Sequence, residues 1–529
     1  MIDRTIVLTG FMGTGKTCVG RAVASALGRR FVDMDAVLEE RLGMTIADCF
    51  HTAGEAAFRR AEAELVRELA AQDGLVVATG GGALVPAESR AALLERATVI
   101  LLTCGERELV RRLQGARDRP LLAGADPQAS VRRLLAERRA AYEAIPLHLD
   151  TTHLSVAEAA ERALRLAKGA GSGPVRLLCL PAAAGGYDVA LGEGLLPRAG
   201  PLLRAAGVGS RAVVISEPRG RSLHGAALAG ALQAAGAEAQ WLEAPGGEAA
   251  KTYAALHALY DGLLASGADR YTTVIALGGG ALSDAAGLAA ATWMRGLPWI
   301  TVPTTLLAQV DAGVGGKVAI DHPGGKNLIG AFHPPRLVLV DPAVLRTLPA
   351  EELRAGLAEV VKHAVIDSPR LFQHLEAHGC EPLAETVPEA VRVKVDVVAE
   401  DPQERGRRAV LNLGHTVAHA LERGSGFSLR HGEAVSAGMV VVTRLAVRLG
   451  VCDRALEPRL RGLLERLGLP VRPPPLDPRA VWRAMAADKK RRDGVVRFVL
   501  PVRLGEVVVH GEVAESEFCA AWREVMSDA

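Results

Sequence analysis

Between an apolar run, Thr5 to Leu8, and a helical pattern, Val19 to Leu27, the sequence reads Gly10-Phe11-Met12-Gly13-Thr14-Gly15-Lys16-Thr17. This satisfies G-x-x-x-x-G-K-[ST] in a strand-to-helix context, where the mechanism requires it. Gly13 and Gly15 let backbone N–H groups wrap phosphates at a helix start, Lys16 reaches the outer phosphates, and Thr17 can ligate Mg²⁺. The motif indicates nucleotide binding and leaves the acceptor to the residues that follow. Asp33 and Asp35 form D-x-D, so one carboxylate can hold the metal through water while the other orients an acceptor hydroxyl. Helix N-capping is the structural alternative. Arg59, Gly80-Gly81-Gly82 and Arg138 add cations and a close-approach loop, and two arginines suit two-point recognition of a carboxylate. Arg117, Arg119 and Pro120, between Gly115 and Gly124, lie in a stretch that could close over the nucleotide as a lid.

A second group of chemically capable residues lies beyond the midpoint. Leu277-Gly278-Gly279-Gly280-Ala281-Leu282-Ser283-Asp284 ends a buried-strand pattern, but Ser283 stands where G-x-G-x-x-G would need its last glycine. Asp311-Ala312-Gly313-Val314-Gly315-Gly316-Lys317 and Gly324-Gly325-Lys326-Asn327 read as two further glycine loops, each delivering a lysine. For a metal, the sequence offers Glu359 in A-E-V-V-K-H, His415 and His419 in N-L-G-H-T-V-A-H, and His431 in H-G-E. Thr416 replaces the glutamate of H-E-x-x-H and removes a metalloprotease reading. Spacing alone points to His415 and His419, one helical turn apart, as paired ligands.

Composition sharpens the choice. The 62 basic residues are 53 Arg and nine Lys, and there are two Asn, Asn327 and Asn412. Arg cannot replace Lys where a compact or deprotonatable cation is needed, so the surviving lysines are enriched for such positions. Net charge is +2, which provides no basic field for nucleic acid. Seven scattered cysteines without C-x-x-C spacing argue against a disulfide framework or a cysteine zinc site and fit a reducing cytoplasm. The most membrane-like window, Val274 to Met294, contains Gly278, Gly279, Gly280 and Asp284, so no membrane span is expected.

These residues need elements to hold them. At 529 residues the chain exceeds one hydrophobic core. Strand-like runs alternate with helical patterns from the start, the grammar of a parallel α/β sheet. A small, glycine-rich stretch, Ala167 to Pro174, reads as a flexible linker carrying Lys168. A second α/β domain follows, and from about Leu345 helical periodicity dominates. The expected organisation is α/β: a P-loop domain over 1–168, a linker over 169–174, a Rossmann-like domain over 175–344 and a mainly helical metal- and substrate-binding domain over 345–529.

The first 168 residues resemble shikimate kinase, with G-x-x-G-x-G-K-T, F-V-D-M-D, F-R-R-A-E, G-G-G-A and R-P-L-L in order. The resemblance implies that Lys16 and Thr17 bind ATP and Mg²⁺, with Asp33 assisting the metal. Asp35, Arg59, Gly81 and Arg138 would hold shikimate, Arg119 would be the lid arginine, and Arg112 would lie near the adenine. Residues 175 to 515 resemble 3-dehydroquinate synthase through G-G-G-A-L-S-D, W-M-R-G, P-T-T-L-L-A-Q-V-D-A-G-V-G-G-K, G-G-K-N-L-I-G, A-E-V-V-K, L-N-L-G-H-T-V-A-H and D-K-K. That resemblance implies zinc, with cobalt as an alternative, on Glu359, His415 and His431, which overrules the spacing-based choice of His419. His419 would instead join Lys317, Asn327, Arg408, Asn412 and one of Lys489 or Lys490 at the substrate phosphate. Arg295 would be lent by a neighbouring subunit, implying a homodimer. NAD⁺ would lie against Gly279, Gly280, Asp284, Thr304, Thr305 and Asp311, with Glu248, Lys251, Lys326 and Thr347 also on the cofactor side and Lys317 at its edge. Lys362 and Lys394 would hold substrate carboxylate and hydroxyls.

The resemblances together imply one cytoplasmic chain with two small-molecule activities. One is ATP-dependent 3-phosphorylation of shikimate; the other converts 3-deoxy-D-arabino-heptulosonate 7-phosphate to 3-dehydroquinate and phosphate with NAD⁺ and zinc. A polyol dehydrogenase would not need the phosphate cage. A cyclase for sugar phosphates lacking the carboxylate is opposed by Lys362 and Lys394.

Overall fold

A computed structural model of the chain describes residues 4–114, 127–169, 171, 173–426, 428–487, 496–511 and 513–527. Arg117, Arg119 and Pro120, and the pair Lys489 and Lys490, lie outside the described residues. The chain forms two compact units, Met1–Ser210 with Ala227–Glu238, and Arg211–Ala226 with Ala239–Ala529.

The first unit contains β1 (Ile6–Gly10), α1 (Lys16–Leu27), β2 (Phe31–Asp33), α2 (Met34–Leu42), α3 (Ile46–Thr52), α4 (Glu55–Ala70), β3 (Val76–Ala78), α5 (Ala87–Arg96) and β4 (Thr98–Thr103). It continues through α6 (Glu106–Leu113), α7 (Pro127–Glu143), β5 (Leu147–Asp150), α8 (Val156–Lys168), β6 (Val175–Cys179), β7 (Asp188–Leu191) and α9 (Gly200–Ala205). Its strands lie in the order β2-β3-β1-β4-β5-β6-β7. All neighbours pair parallel except β6 with β7. Every residue of β1 and β3 is buried, as expected for strands covered on both faces, which is why they read as unbroken apolar runs. Phe11, Met34, Phe58, Val77 and Leu101 share one core, so the loop after β1 and the start of α4 are anchored in the same apolar mass.

Strand pairing resumes directly beyond the glycine-rich stretch. Immediately after it, Val175 N donates to Pro146 O at 2.8 Å and β6 pairs with β5, Leu147 opposite Val175 and Leu149 opposite Leu177. Arg162 on α8 donates from Nε to Asp188 Oδ1 at 3.0 Å, and Arg165 pairs with the other oxygen of the same carboxylate. The first compact unit therefore runs past the stretch to Ser210.

The second unit contains β8 (Arg211–Ser216), the first half of α10 (Pro218–Ala235, whose residues from Ala227 on belong to the first unit), β9 (Glu238–Glu243), α11 (Tyr253–Ala265), β10 (Thr273–Gly278), α12 (Gly280–Thr292), β11 (Trp299–Pro303), β12 (Lys317–His322), β13 (Gly325–Phe332) and β14 (Leu337–Val340). Its sheet order is β14-β11-β10-β8-β9, and the β14, β11, β10 and β8 neighbours are parallel. β12 and β13 form a separate antiparallel hairpin. Gly325, Lys326 and Asn327 are thus the start of a strand, and the expected third glycine loop is a hairpin turn.

The remainder is helical: α13 (Ala350–Asp367), α14 (Pro369–His378), α15 (Leu383–Glu400), α16 (His415–Gly424), α17 (His431–Arg448), α18 (Leu456–Arg466), α19 (Pro478–Ala487) and, last, α20 (Glu515–Ser527). The hairpin β15 (Phe498–Arg503) and β16 (Glu506–His510), which helical periodicity did not predict, interrupts this run. α17 is buried over most of its circumference and packs on α13, α16 and α20. Its glycines set the distances. A Cβ at Gly432 would lie 1.9 Å from the Ala355 carbonyl oxygen, and one at Gly438 would lie 2.4 Å from that of Gly414. Close approach to α13 and α16 at these points brings three helices to a common site. No described helix is long and apolar enough to cross a membrane.

Candidate active sites

In the first unit, Gly13 (φ 82°) and Gly15 (φ 93°) occupy the left-handed region, which lets the loop curl back over the N-terminus of α1. Lys16 Nζ donates to Phe11 O at 3.1 Å, holding the ammonium over the loop. Thr17 Oγ1 donates to Asp33 Oδ2 at 2.9 Å, placing a hydroxyl and a carboxylate where Mg²⁺ chemistry needs them. Asp33 Oδ1 accepts from Asp35 N at 3.2 Å. The capping contact uses Oδ1, and Oδ2 faces the Thr17 hydroxyl.

The Gly80-Gly81-Gly82 run threads between the other expected residues. A Cβ would lie 2.8 Å from Asp35 Oδ1 at Gly80, 3.2 Å from Arg138 Nη1 at Gly81, and 2.7 Å from Arg59 Nη1 at Gly82. Arg138 Nη1 and Tyr142 OH both donate to Gly81 O, at 3.1 and 2.8 Å. Arg59 is held by Glu62 Oε2 at 2.6 Å and Glu55 Oε1 at 3.1 Å. Glu62 is 3% exposed; burial raises its carboxyl pKa against the opposing pull of Arg59. Neither Glu62 nor Tyr142 was singled out from sequence, although Glu62 stands three residues after Arg59 on one face of α4. Arg112 donates to Thr151 O at 2.7 Å and to Glu108 at 2.7 Å, so it braces α6 beside the phosphate loop.

In the second unit, Glu359 on α13, His415 at the start of α16 and His431 at the start of α17 bring one ligand atom each within 4.8 Å of one another. His415 Nε2 lies 3.6 Å and His431 Nε2 3.5 Å from Glu359 Oε1. Glu359 is 0% exposed, and neither carboxylate oxygen accepts a hydrogen bond of ordinary geometry. Burial alone would raise its pKa, but Lys362 and His415 overcome that and hold it below the usual carboxylate range. A buried carboxylate and two imidazoles presenting Nε2 are a donor set that fits zinc with an open position. The spacing-based pairing of His415 with His419 is not what the fold assembles. His419 stands beside the triad, its ring 5.7 Å from that of His415 and 6.4 Å from that of His431.

Next to the triad, Asp311 is flanked by two lysines. Lys362 Nζ is 3.4 Å from Asp311 Oδ2 and also contacts Glu359, while Lys394 contacts Asp311 Oδ1. Burial lowers the Lys394 pKa to about 8 despite Asp311. Lys362 is 1% exposed, yet Asp311 and Glu359 outweigh its desolvation and raise its pKa.

The expected phosphate residues are only partly grouped by the contacts. Lys317 contacts Glu404, and Asn412 Nδ2 donates to the same carboxylate at 3.2 Å. Arg408 is buried and donates to Gly315 O at 3.1 Å and Pro402 O at 2.6 Å. Asn327 instead accepts from Lys251, whose ammonium also lies 2.6 Å from Asp284. Burial pushes the Asp284 pKa up to about 6 against that lysine. Lys326 reaches Glu248 at 3.3 Å. Thr304 is buried, and Thr305 Oγ1 accepts from Ala308 N at 3.2 Å. A Cβ at Gly279 would meet Thr305, and one at Gly280 would meet Ala312. Thr347 shares a hydrogen bond of 3.1 Å with His224. Arg295 is exposed at a left-handed turn, φ 71°. Glu404, which no motif flagged, also has a left-handed backbone, φ 56°.

Fold and sites define a P-loop kinase unit followed by a unit with a Rossmann-like sheet and a helical Glu-His-His centre. The shikimate kinase family profile matches residues 12–168, and the 3-dehydroquinate synthase N-terminal and C-terminal profiles match 241–355 and 356–491. The 3-dehydroquinate synthase of Rhodospirillum rubrum is 46% identical over 356 residues, covering 64% of this chain and 92% of that one. Among solved structures, the 2-epi-5-epi-valiolone synthase of Streptomyces hygroscopicus, with NAD⁺ and Zn²⁺ bound, is 32% identical at a TM-score of 0.60, covering 65% of this chain and 97% of that one. A 2-deoxy-scyllo-inosose synthase complexed with carbaglucose-6-phosphate, NAD⁺ and Co²⁺ is 26% identical at a TM-score of 0.60, covering 66% and 99%. The chain belongs to the 3-dehydroquinate synthase family. It carries a shikimate kinase domain ahead of the synthase and is a bifunctional enzyme of the shikimate pathway.

Proposed function

We propose that the two sites work as follows. In the kinase domain, Lys16, Thr17 and Asp33 hold ATP and Mg²⁺, Asp35 orients the 3-hydroxyl of shikimate, and Arg59 with Arg138 takes its carboxylate across the Gly81 loop. Glu62 and Tyr142 keep the arginine and the loop in place.

In the synthase, Glu359, His415 and His431 are the residues that would hold zinc or cobalt, and the turn after β10 with Asp284 and Lys251 would hold NAD⁺. A metal held there would supply acidification of a bound hydroxyl, and a nicotinamide cofactor would supply reversible hydride transfer. Lys362 and Lys394, poised on Asp311, orient the carboxylate and hydroxyls of heptulosonate 7-phosphate. Lys317, Arg408, Asn412 and His419 carry the departing phosphate. For that, Lys317 and Asn412 must give up Glu404 to the incoming substrate. The single observation that carries this reading is the Glu359–His415–His431 cluster with the Lys362–Asp311–Lys394 bridge beside it.

The two structural relatives are synthases named for other products, so the substrate carboxylate is the point to test. Purified chain with heptulosonate 7-phosphate, NAD⁺ and zinc should release phosphate without accumulating NADH. A sugar 7-phosphate lacking the carboxylate should be a poor substrate; the reverse preference refutes the assignment. We further infer a homodimer in which Arg295 serves the partner's phosphate site, cytoplasmic residence, and functional domains over 1–168, 175–344 and 345–529.

A further inference from the structure

The two imidazoles of the triad are oriented by different means. Each turns Nε2 toward Glu359, and each has an acceptor at its other ring nitrogen. For His415 the acceptor is a backbone carbonyl, Leu413 O, 3.2 Å from Nδ1. For His431 it is a side chain, Glu422 Oε1, 3.4 Å from Nδ1. A histidine that ligates through Nε2 carries its proton on Nδ1, so whatever accepts that proton fixes both tautomer and ring angle.

Glu422 is an unlikely residue to find there without a reason. It is 5% exposed, and a buried carboxylate is costly unless paired. Glu422 follows His415 and His419 at seven and three residues on one face of α16, so a single helix face presents a ligand and the partner of another ligand. The same oxygen, Oε1, lies 3.9 Å from Lys326 Nζ on β13, which helps keep the carboxylate ionised.

We propose that Glu422 is a positioning residue for the metal centre, holding His431 with Nδ1 protonated so that Nε2 is presented to a divalent cation alongside Glu359 and His415. The proposal rests on reading the triad as a metal site. Glu422 touches neither substrate nor metal in this scheme; its effect passes through His431.

The test uses the full chain stripped of metal and titrated with Co²⁺ against a chromophoric chelator, recording the visible cobalt spectrum. Glu422→Gln preserves shape and removes the charge. Loss of an outer-shell partner of this kind costs roughly 10–100-fold in metal affinity, and that is the expected weakening, with a shifted cobalt band. Glu422→Asp should recover part of both, and it serves as the reporter if the glutamine variant folds poorly. The metal-free variants should melt close to the metal-free parent, since a merely structural role would lower the melting temperature and leave the spectrum alone. Cobalt affinity within about twofold of the parent, with an unchanged spectrum, would overturn the proposal if His431→Ala loses cobalt. If His431→Ala also binds cobalt like the parent, the triad reading itself fails and takes this proposal with it.

Discussion

Asp188→Ala tests whether residues beyond 174 are part of the first compact unit. In the structure this carboxylate, 1% exposed at the start of β7, accepts from Arg162 Nε at 3.0 Å and pairs with Arg165. Arg162 is itself buried, with a side chain 4% exposed; Arg165 is a quarter exposed and contributes less. Removing the acid leaves the buried Arg162 guanidinium without its carboxylate partner, with the Leu180 carbonyl at 3.3 Å as a neutral acceptor, a defect worth about 3–5 kcal/mol. For a unit of this size each kcal/mol moves the melting temperature by roughly 2–4 °C, so the kinase transition should fall by about 6–20 °C. Calorimetry of the full chain, with shikimate kinase activity followed after heating, reads this directly. The parent values should survive Asp188→Asn better than Asp188→Ala, because the amide still accepts one hydrogen bond. A shift under about 2 °C for the alanine variant would mean that the pairing is not buried in solution, and the stretch at 169–174 would then be the loose tether its composition suggests.

Lys16→Ala should abolish shikimate phosphorylation and leave synthase turnover near normal; equal loss of both in steady-state assays would contradict independent sites. Gly82→Ala places a methyl against Arg59, which Glu62 and Glu55 prevent from moving freely, and should lower kcat/KM for shikimate by roughly 10–100-fold, the value of one charge-assisted contact. His415→Ala should remove bound zinc, measured by elemental analysis, and abolish cyclisation without touching the kinase. Lys394, with its pKa lowered to about 8 by burial, should impose a fall in synthase kcat/KM above that pH, seen in a pH–rate profile of the free enzyme. Stability moves with pH in the same direction as for a salt-bridged acid, because a pKa lowered in the fold leaves the unfolded chain with more bound proton: the cost of the buried charge is fully present below about pH 8 and is relieved as pH rises toward the ordinary lysine value.

The kinase site was largely legible because its chemistry is local. Glycines, Lys16 and Thr17 must be adjacent for a loop to wrap phosphates, and Asp33 must follow the neighbouring strand. Glu62 escaped because a buried acid within a helix looks like any surface glutamate until its burial is known. The metal cluster was not legible by spacing: Glu359 and His415 are brought together by the packing of α13, α16 and α17, while helical periodicity by itself favoured His419. The β15–β16 hairpin was missed because Val508 and Val509 are partly exposed and its alternation is weak. The pairing of β6 with β5 leaves no local mark in the sequence.

What sequence did carry into the synthase site was an economy of cations, and the structure gives it a physical basis. Lys251, Lys362 and Lys394 are all buried, and each meets a carboxylate inside the second unit. An ammonium fits between two acids as a point charge and can shed its proton when desolvated; a guanidinium can do neither. In the kinase unit the demand is reversed. In the proposed shikimate site, Arg59 and Arg138 would present planar forks to a flat carboxylate, and there arginine serves. Biased composition favoured arginine where charge alone mattered, so the remaining lysines are enriched for places where geometry or proton exchange opposed the substitution, Lys168 being the exception. By this argument a Lys394→Arg variant is a severe change rather than a mild one, since it would enlarge a buried cation beside Asp311 and fix a charge whose pKa the fold has brought down to about 8.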